Sequence, residues 1–440
     1  MDTVDFTIQN LGVASIRTPI ILSNKVKDYV AGYVSDNDMI INDVTRVPGT
    51  NQVYTKKNLL EKAGPRDMIY FDPVKVHAAI VTCGGLCPGL NNVIRSVVMS
   101  LWHVYGVRVI SGIRNGYRGF LPESNLPVIE LNPDVVSDIH KDGGSILGSS
   151  RGMGERVTEI VDSLERMNVS ILFSIGGDGT QKGSLSISEE ISKRGLKISV
   201  IGIPKTIDND LCFIQRSFGF ETAVSKAVEA VSCAHTEARC AINGISIVKL
   251  MGRESGFIAA HTSIASNDVN FTLIPELPFD LDGPNGLLVH LKNRVLRRKH
   301  AVIVVAEGAG QEHLSNDNAG KDASGNTLLG DIGLYLKDRV SKYFKSEKID
   351  ANIRYIDPSY IIRSTAADPG DSIYCTRLGT NAVHAAMAGK TNMLVSLINN
   401  TFVHVPIQLA VEKRNTIDPE GELWRDVIQA TGQPPLMKNV

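Results

Sequence analysis

The chain has 440 residues, of which 43% are apolar and 21% charged, so wholesale disorder is excluded and two or three domains are expected. Lysine plus arginine number 46 against 47 aspartates plus glutamates. With a net charge of −1 there is no global positive field, which argues against general nucleic-acid binding or a membrane-surface role; any bound anion must be held by a local cluster.

The amino terminus lacks the basic start and apolar core of a signal peptide, and stretches such as Ala301–Ala306 are far short of the ~20 residues that span a bilayer. A cytoplasmic protein is expected. Six cysteines (Cys83, Cys87, Cys212, Cys233, Cys240 and Cys375) are sparse and lack zinc-type pairing, which points to reduced thiols.

Residues 1–75 show no sustained periodicity and read as an irregular amino-terminal extension. From Val76 the pattern becomes short β-branched runs, each followed by glycines and a helical stretch. Val76–Thr82 leads into Gly84–Gly89 and then Asn92–Val104. Ser170–Ile175 leads into Gly176–Gly179 and a helix ending near Gly195, and Lys197–Ile203 stops at Pro204. Val224, Ala227, Val228 and Val231 mark one face of a further helix; Ile245–Leu250 and Ala301–Ala306 are buried-strand candidates. Leu329, Ile332, Leu336, Val340 and Tyr343 mark another helix, and Gly308–Thr327, rich in Gly, Asn, Asp and Ser, reads as an insert. The expectation is an α/β protein of two similar lobes, with mainly parallel sheets covered by helices.

Chemistry concentrates where strands meet glycines. Backbone N–H groups point outward at such junctions and a helix N-terminus adds about half a positive charge, which suits phosphates. Gly84–Asn91 and Gly176–Thr180 both qualify, although neither completes a P-loop or a dinucleotide fingerprint. Asp178 inside the second turn would repel phosphate unless a cation intervened, so Mg²⁺ is expected there. Pro204-Lys205-Thr206-Ile207-Asp208-Asn209-Asp210 follows a strand, and its lysine three residues before a carboxylate offers a transition-state cation beside a general base. Met251-Gly252-Arg253, Glu307, and the group Arg354, Tyr360 and Arg363 follow or flank further strands; arginines there suit bidentate phosphate recognition.

Together TCGGLCPGLN, GGSILGSSRG, IGGDGTQKG, PKTIDND, KLMGRESG, AEG and the Tyr-x-x-Arg of Tyr360–Arg363 resemble the 6-phosphofructokinases, from about Gly64 to Lys390. The resemblance implies Mg²⁺-dependent phosphoryl transfer to the 1-hydroxyl of fructose 6-phosphate in a cleft between lobes. One lobe would comprise residues 76–218 plus 367–412 and take the donor; the other, 219–366, would take the sugar; 413–440 would form a carboxy-terminal segment. Gly85, Tyr117, Arg151, Gly152, Gly177, Asp178, Gly179 and Thr180 would bind ATP, with Asp178 on the metal and Arg151 on the transferring group. Asp208 would be the base and Lys205 its cation. Thr206, Asp208, Met251, Gly252, Arg253, Glu307, Arg354, Tyr360 and Arg363 would surround the sugar phosphate.

Two positions depart from relatives. The family's pyrophosphate users combine the Lys205 lysine with Asp at the position of Gly179, whereas its short bacterial ATP users have Gly at 205. This chain is mixed, as in the plant and protist ATP branch. An Asp side chain at 179 would project charge where an α-phosphate must sit, so ATP is favoured over the pyrophosphate alternative. Gly244 stands where short relatives carry an interface arginine, which puts site sharing between subunits in question, although the resemblance suggests a homodimer or homotetramer under allosteric control. An NAD or lipid kinase would not need Arg253, Arg354 and Arg363 for a sugar phosphate. A non-catalytic sensor would be free to lose Asp178 or Asp208.

Overall fold

The computed structural model describes residues 4–25, 27–45, 54–314, 320 and 328–439. Most of the Gly308–Thr327 insert lies outside the described residues. The chain forms two compact units: Met1–Thr206 with Leu211–Gly219 and Thr365–Arg414, and Ile207–Asp210 with Phe220–Ser364 and Asn415–Val440.

The first unit is organised by a seven-stranded sheet in the order Thr401–Pro406, Met393–Ile398, Ser199–Pro204, Ile171–Gly176, His77–Thr82, Val109–Ile113, Ile129–Glu130. The five inner strands run parallel and the two outermost pairings are antiparallel. Inner strands such as ILFSIG and SVIGIP are buried at every residue, which is why they read as continuous apolar runs rather than alternating ones. Helices Leu90–Met99, Val157–Arg166, Asp178–Lys193 and Pro369–Met387 accompany this sheet. Pro204, the last strand residue, pairs with Gly176, so the two chemistry-bearing segments emerge level with each other.

The amino-terminal stretch is not irregular throughout. Gln9–Asn10 pairs with Lys390–Thr391, Ile16–Arg17 with Met68–Ile69, and Met39–Ile40 with Leu60–Glu61. It is also fixed by a buried ionic group. Glu61 bonds Arg66 at 2.8 Å, Lys390 at 2.9 Å and the His404 Nδ1 at 3.1 Å. Burial raises the Glu61 pKa, but the hydrogen bond and charge of His404, with Lys390, outweigh it and hold the carboxyl far below its usual range.

The second unit has four parallel strands in the order Phe271–Leu273, His300–Ala306, Gly244–Leu250, Ile353–Ile356. Helices Phe220–Cys240, Phe257–Ser266, Leu287–Arg298 and Ile332–Ser346 belong to it. The carboxy-terminal segment adds helix Glu422–Thr431, whose Trp424 and Val427 enter the same core as Ile258 and Val304.

Candidate functional site

In the first unit, the loops that leave adjacent parallel strands meet one another. Cys83 bridges Ser150, the Gly84 N–H donates to the Ser150 carbonyl at 2.9 Å, and the Ser149 hydroxyl donates to the Gly84 carbonyl at 2.7 Å. The Lys205 N–H donates to the Gly176 carbonyl at 3.0 Å, and its side chain, only 7% exposed, donates from Nζ to the Gly85 carbonyl at 2.8 Å. Lys205 thus ties three of these loops to one another. Arg151 is exposed, with a terminal guanidinium nitrogen 3.7 Å from where a Cβ on Gly85 would stand; Gly152 comes next, with φ +77°.

Gly177 is the N-cap and Asp178 the first residue of helix Asp178–Lys193, where N–H groups are unclaimed by the helix. The Asp178 carboxylate lies 3.0 Å from Lys182 Nζ and 3.8 Å from an Arg414 guanidinium nitrogen. Gly179 is exposed, and a Cβ built there meets nothing within 4 Å. The ground that an aspartate at 179 would occupy is open. Among the described residues no three His, Cys, Asp or Glu side chains converge as a metal site. A cation at Asp178 would therefore draw its other ligands from phosphate oxygens and water, an arrangement that suits Mg²⁺.

One residue expected in the donor site is buried. Tyr117 is 2% exposed and lies beneath the loops rather than on their surface. Its hydroxyl donates to the Thr180 carbonyl at 2.8 Å and contacts the Ser184 hydroxyl at 2.8 Å. A Cβ at Gly183 would come within 2.9 Å of the ring, so that glycine makes room for it. Burial pushes the phenol well above its usual pKa. Tyr117 supports the Asp178 turn from below, and a glycine-flanked tyrosine in sequence does not distinguish floor from surface.

The PKTIDND segment crosses units between Thr206 and Ile207. Thr206 is buried, and its carbonyl accepts a bond from Ser217. In the second unit, the Asp208 carbonyl accepts from the Ser255 hydroxyl at 3.4 Å, which sets the segment against the Met251–Ser255 turn. Leu250 pairs with Ala306 in register, so Met251 and Glu307 leave their strands side by side. The Glu307 N–H donates to the Leu250 carbonyl at 2.9 Å, and that of Gly308 to the Gly252 carbonyl at 3.0 Å. A side chain at 308 is barred, since its Cβ would fall 1.7 Å from the Arg253 carbonyl oxygen.

Glu307 is the electrostatic centre of this group. Burial raises its pKa, only partly opposed by Arg253, Lys249 and Arg363, so the carboxyl stays above its usual range. Lys249 bridges Asp331 at 3.1 Å and Asp357 at 3.0 Å. Burial alone would lower the Lys249 pKa, but the hydrogen bonds of Asp357 and Asp331 outweigh it and keep the ammonium charged. Neither Lys182, one turn along the helix from Asp178, nor Arg414, after helix Ile407–Glu412, was singled out from the sequence, because each meets the carboxylate only in the fold. Tyr360, 75% exposed, stacks under Arg363, whose guanidinium carbon is 4.6 Å from the ring centroid.

Arg354 is not brought to this group. It is exposed on an edge strand and paired with Ser246, four residues before Leu250, or about 13 Å of strand from the end where Met251 sits. Gly244 also has a local reason. A Cβ there would fall 2.1 Å from the Ala238 carbonyl, so this backbone admits no arginine at that position.

Known proteins share both the sequence and the fold. The family model described as "Phosphofructokinase" matches residues 77–386. An ATP-dependent 6-phosphofructokinase of Borreliella burgdorferi is 58% identical, over 100% of this chain and 99% of its own. One from Amycolatopsis methanolica is 45% identical over 98% and 95%, and one from Trypanosoma brucei brucei is 46% identical over 87% and 78%. Among solved structures, a pyrophosphate-dependent phosphofructokinase of Marinobacter aquaeolei superposes with a TM-score of 0.66 at 20% identity, covering 81% of this chain and 91% of its own. At that identity the likeness concerns the fold alone.

Proposed function

This chain belongs to the phosphofructokinase family, and from that premise we propose a role for each of these groups of residues. The reaction is transfer of the terminal phosphoryl group of ATP to fructose 6-phosphate, giving fructose 1,6-bisphosphate. The pyrophosphate-dependent alternative is less supported, since these curated relatives are named as ATP-dependent and position 179 is glycine with open space around it.

The Gly84-Gly85 and Gly177–Thr180 turns take the donor phosphates on backbone N–H groups and the helix start, with Gly152 lining the same path. Arg151 meets the transferring phosphoryl group. Asp178 holds Mg²⁺, which supplies charge neutralisation on the phosphate oxygens when bound. Lys182 and Arg414 balance that carboxylate. Lys205 places a fixed ammonium at the strand end, where negative charge builds up during transfer. Asp208 accepts the proton of the acceptor's 1-hydroxyl. Arg253 and Arg363 hold the sugar phosphate, Tyr360 and Met251-Gly252 flank it, Thr206 contacts it, and Glu307 accepts hydrogen bonds from sugar hydroxyls.

Phosphoryl transfer through a loose transition state asks little covalent help of the protein, so positioning and charge supply most of the rate. The observation that carries the reading is the joining of three strand-end loops by one buried lysine, three residues before Asp208. Its test is Asp208→Asn. Turnover should fall on the order of 10²–10⁴-fold with the KM for fructose 6-phosphate nearly unchanged. Near-normal turnover would remove Asp208 from the mechanism. No helix among the described residues is long and apolar enough to cross a membrane. We place the enzyme in the cytoplasm as a homodimer or homotetramer.

A further inference from the structure

Away from these residues, two histidines of the second unit face each other. His235, on helix Phe220–Cys240, and His300, the first residue of strand His300–Ala306, bring their Nε2 atoms to 3.3 Å. The other nitrogen of each ring is already committed. His235 Nδ1 lies 2.9 Å from an Asp268 carboxylate oxygen, and His300 Nδ1 lies 3.0 Å from the Arg298 carbonyl. Carboxylate and carbonyl oxygens can only accept, so both Nδ1 atoms carry the hydrogens. In their neutral forms both rings then turn bare Nε2 lone pairs toward each other. Such a contact is repulsive unless one ring takes up a proton and donates it to the other, or a metal ion lies between them.

Two nitrogens each ~2.05 Å from a tetrahedral ion stand about 3.3 Å apart, which is the spacing found here. A histidine ligand usually gives its second nitrogen to a carboxylate or a backbone carbonyl, and this pair has one of each. The rings lie 36° from coplanar, and a modest tilt opens the angle for a shared ion. The His235 side chain is 18% and that of Asp268 35% exposed, so water reaches the pair. We propose that His235 and His300 are the protein ligands of a site for a borderline divalent transition-metal ion, with Zn²⁺ as its probe, completed by water and oriented by Asp268 and the Arg298 carbonyl.

The surroundings temper the affinity without abolishing it. Arg239 and Arg294 lie close enough to act electrostatically on His300. The same arginines repel a dication, and Asp268 offsets part of that. Binding is therefore expected to be weaker than at a closed four-ligand zinc site. An ion here would clip the helix to the start of a central strand and raise the thermal midpoint logarithmically once Zn²⁺ exceeds its Kd.

The test is calorimetric titration of Zn²⁺ into the full-length enzyme carrying Cys233→Ser and Cys240→Ser, which removes the two exposed thiols. The expected result is saturable binding of one ion, weakened at least ~10-fold by His235→Gln or His300→Gln and ~10–100-fold by Asp268→Asn. Turnover of these variants without Zn²⁺ should match the parent. No binding at millimolar Zn²⁺, or binding that both histidine variants retain, would overturn the proposal. Should a variant fail to fold, Co²⁺ added to the unsubstituted histidine pair decides: a tetrahedral visible spectrum supports the site and its absence refutes it.

Discussion

The two units build their strand-end groups from different materials. In the first, the group is mostly backbone: Gly84, Gly85, Gly152, Gly177 and Gly179 around a helix start, with Lys205 as the buried cation. In the second it is mostly side chain: Arg253, Lys249 and Arg363, each acting electrostatically on Glu307. A polyphosphate chain can be read by N–H groups and an ion, which requires bare glycines and few carboxylates. A sugar phosphate presents a terminal dianion and several hydroxyls, which requires forked cations and an acceptor. The contrast also separates the kinetic signatures expected of each unit.

The sharpest way to break the comparison is Lys205→Met. It removes both the strand-end cation and the bond to the Gly85 carbonyl, and should lower kcat/KM on the order of 10²–10³-fold for either substrate. A loss confined to fructose 6-phosphate would move Lys205 from the donor frame to the acceptor. Smaller in effect, Arg363→Ala should raise the KM for fructose 6-phosphate on the order of 10–100-fold with a lesser effect on ATP, the loss of a charge-assisted hydrogen bond. Arg354→Ala should change either KM by less than about twofold, as for an exposed side chain away from the site; equal effects from the two arginines would contradict the placement of Arg354 by strand register.

The smallest effect concerns stability. The Glu307 pKa is raised in the folded protein, so its contribution is fully present below the unfolded value near 4.5 and is lost as pH rises through the folded one. Glu307→Gln should therefore melt at a higher temperature than the parent at neutral pH, with the gap closing toward acid. A lower midpoint for the variant at neutral pH would mean that Arg253 and Arg363 outweigh burial after all.

Much of the frame was legible because parallel strands buried on both faces leave uninterrupted apolar runs, and the glycines after them stand out. Asp178, Lys205, Asp208, Arg253 and Glu307 stood out as candidates because each lies just beyond such a run. The burial of Tyr117 was not legible, because adjacency in sequence does not tell a ring beneath a loop from one above it. Arg354 stands nine positions before Arg363, and an edge strand carries it back along the sheet, a separation that sequence spacing does not show. Partners distant in sequence were invisible: Arg414 beside Asp178, and Lys390 with His404 around Glu61. The His235–His300 pair escaped for the same reason, since one residue is on a helix and the other on a strand.

The central claim is that this frame transfers phosphoryl groups from ATP because position 179 leaves the α-phosphate room. It is tested most directly by measuring kcat/KM for ATP and for pyrophosphate on the parent and on Gly179→Asp. The expected result is turnover with ATP and little with pyrophosphate in the parent, and a loss of ATP use of about tenfold or more in the variant, roughly one like-charge contact. Efficient use of pyrophosphate and none of ATP by the parent would contradict it.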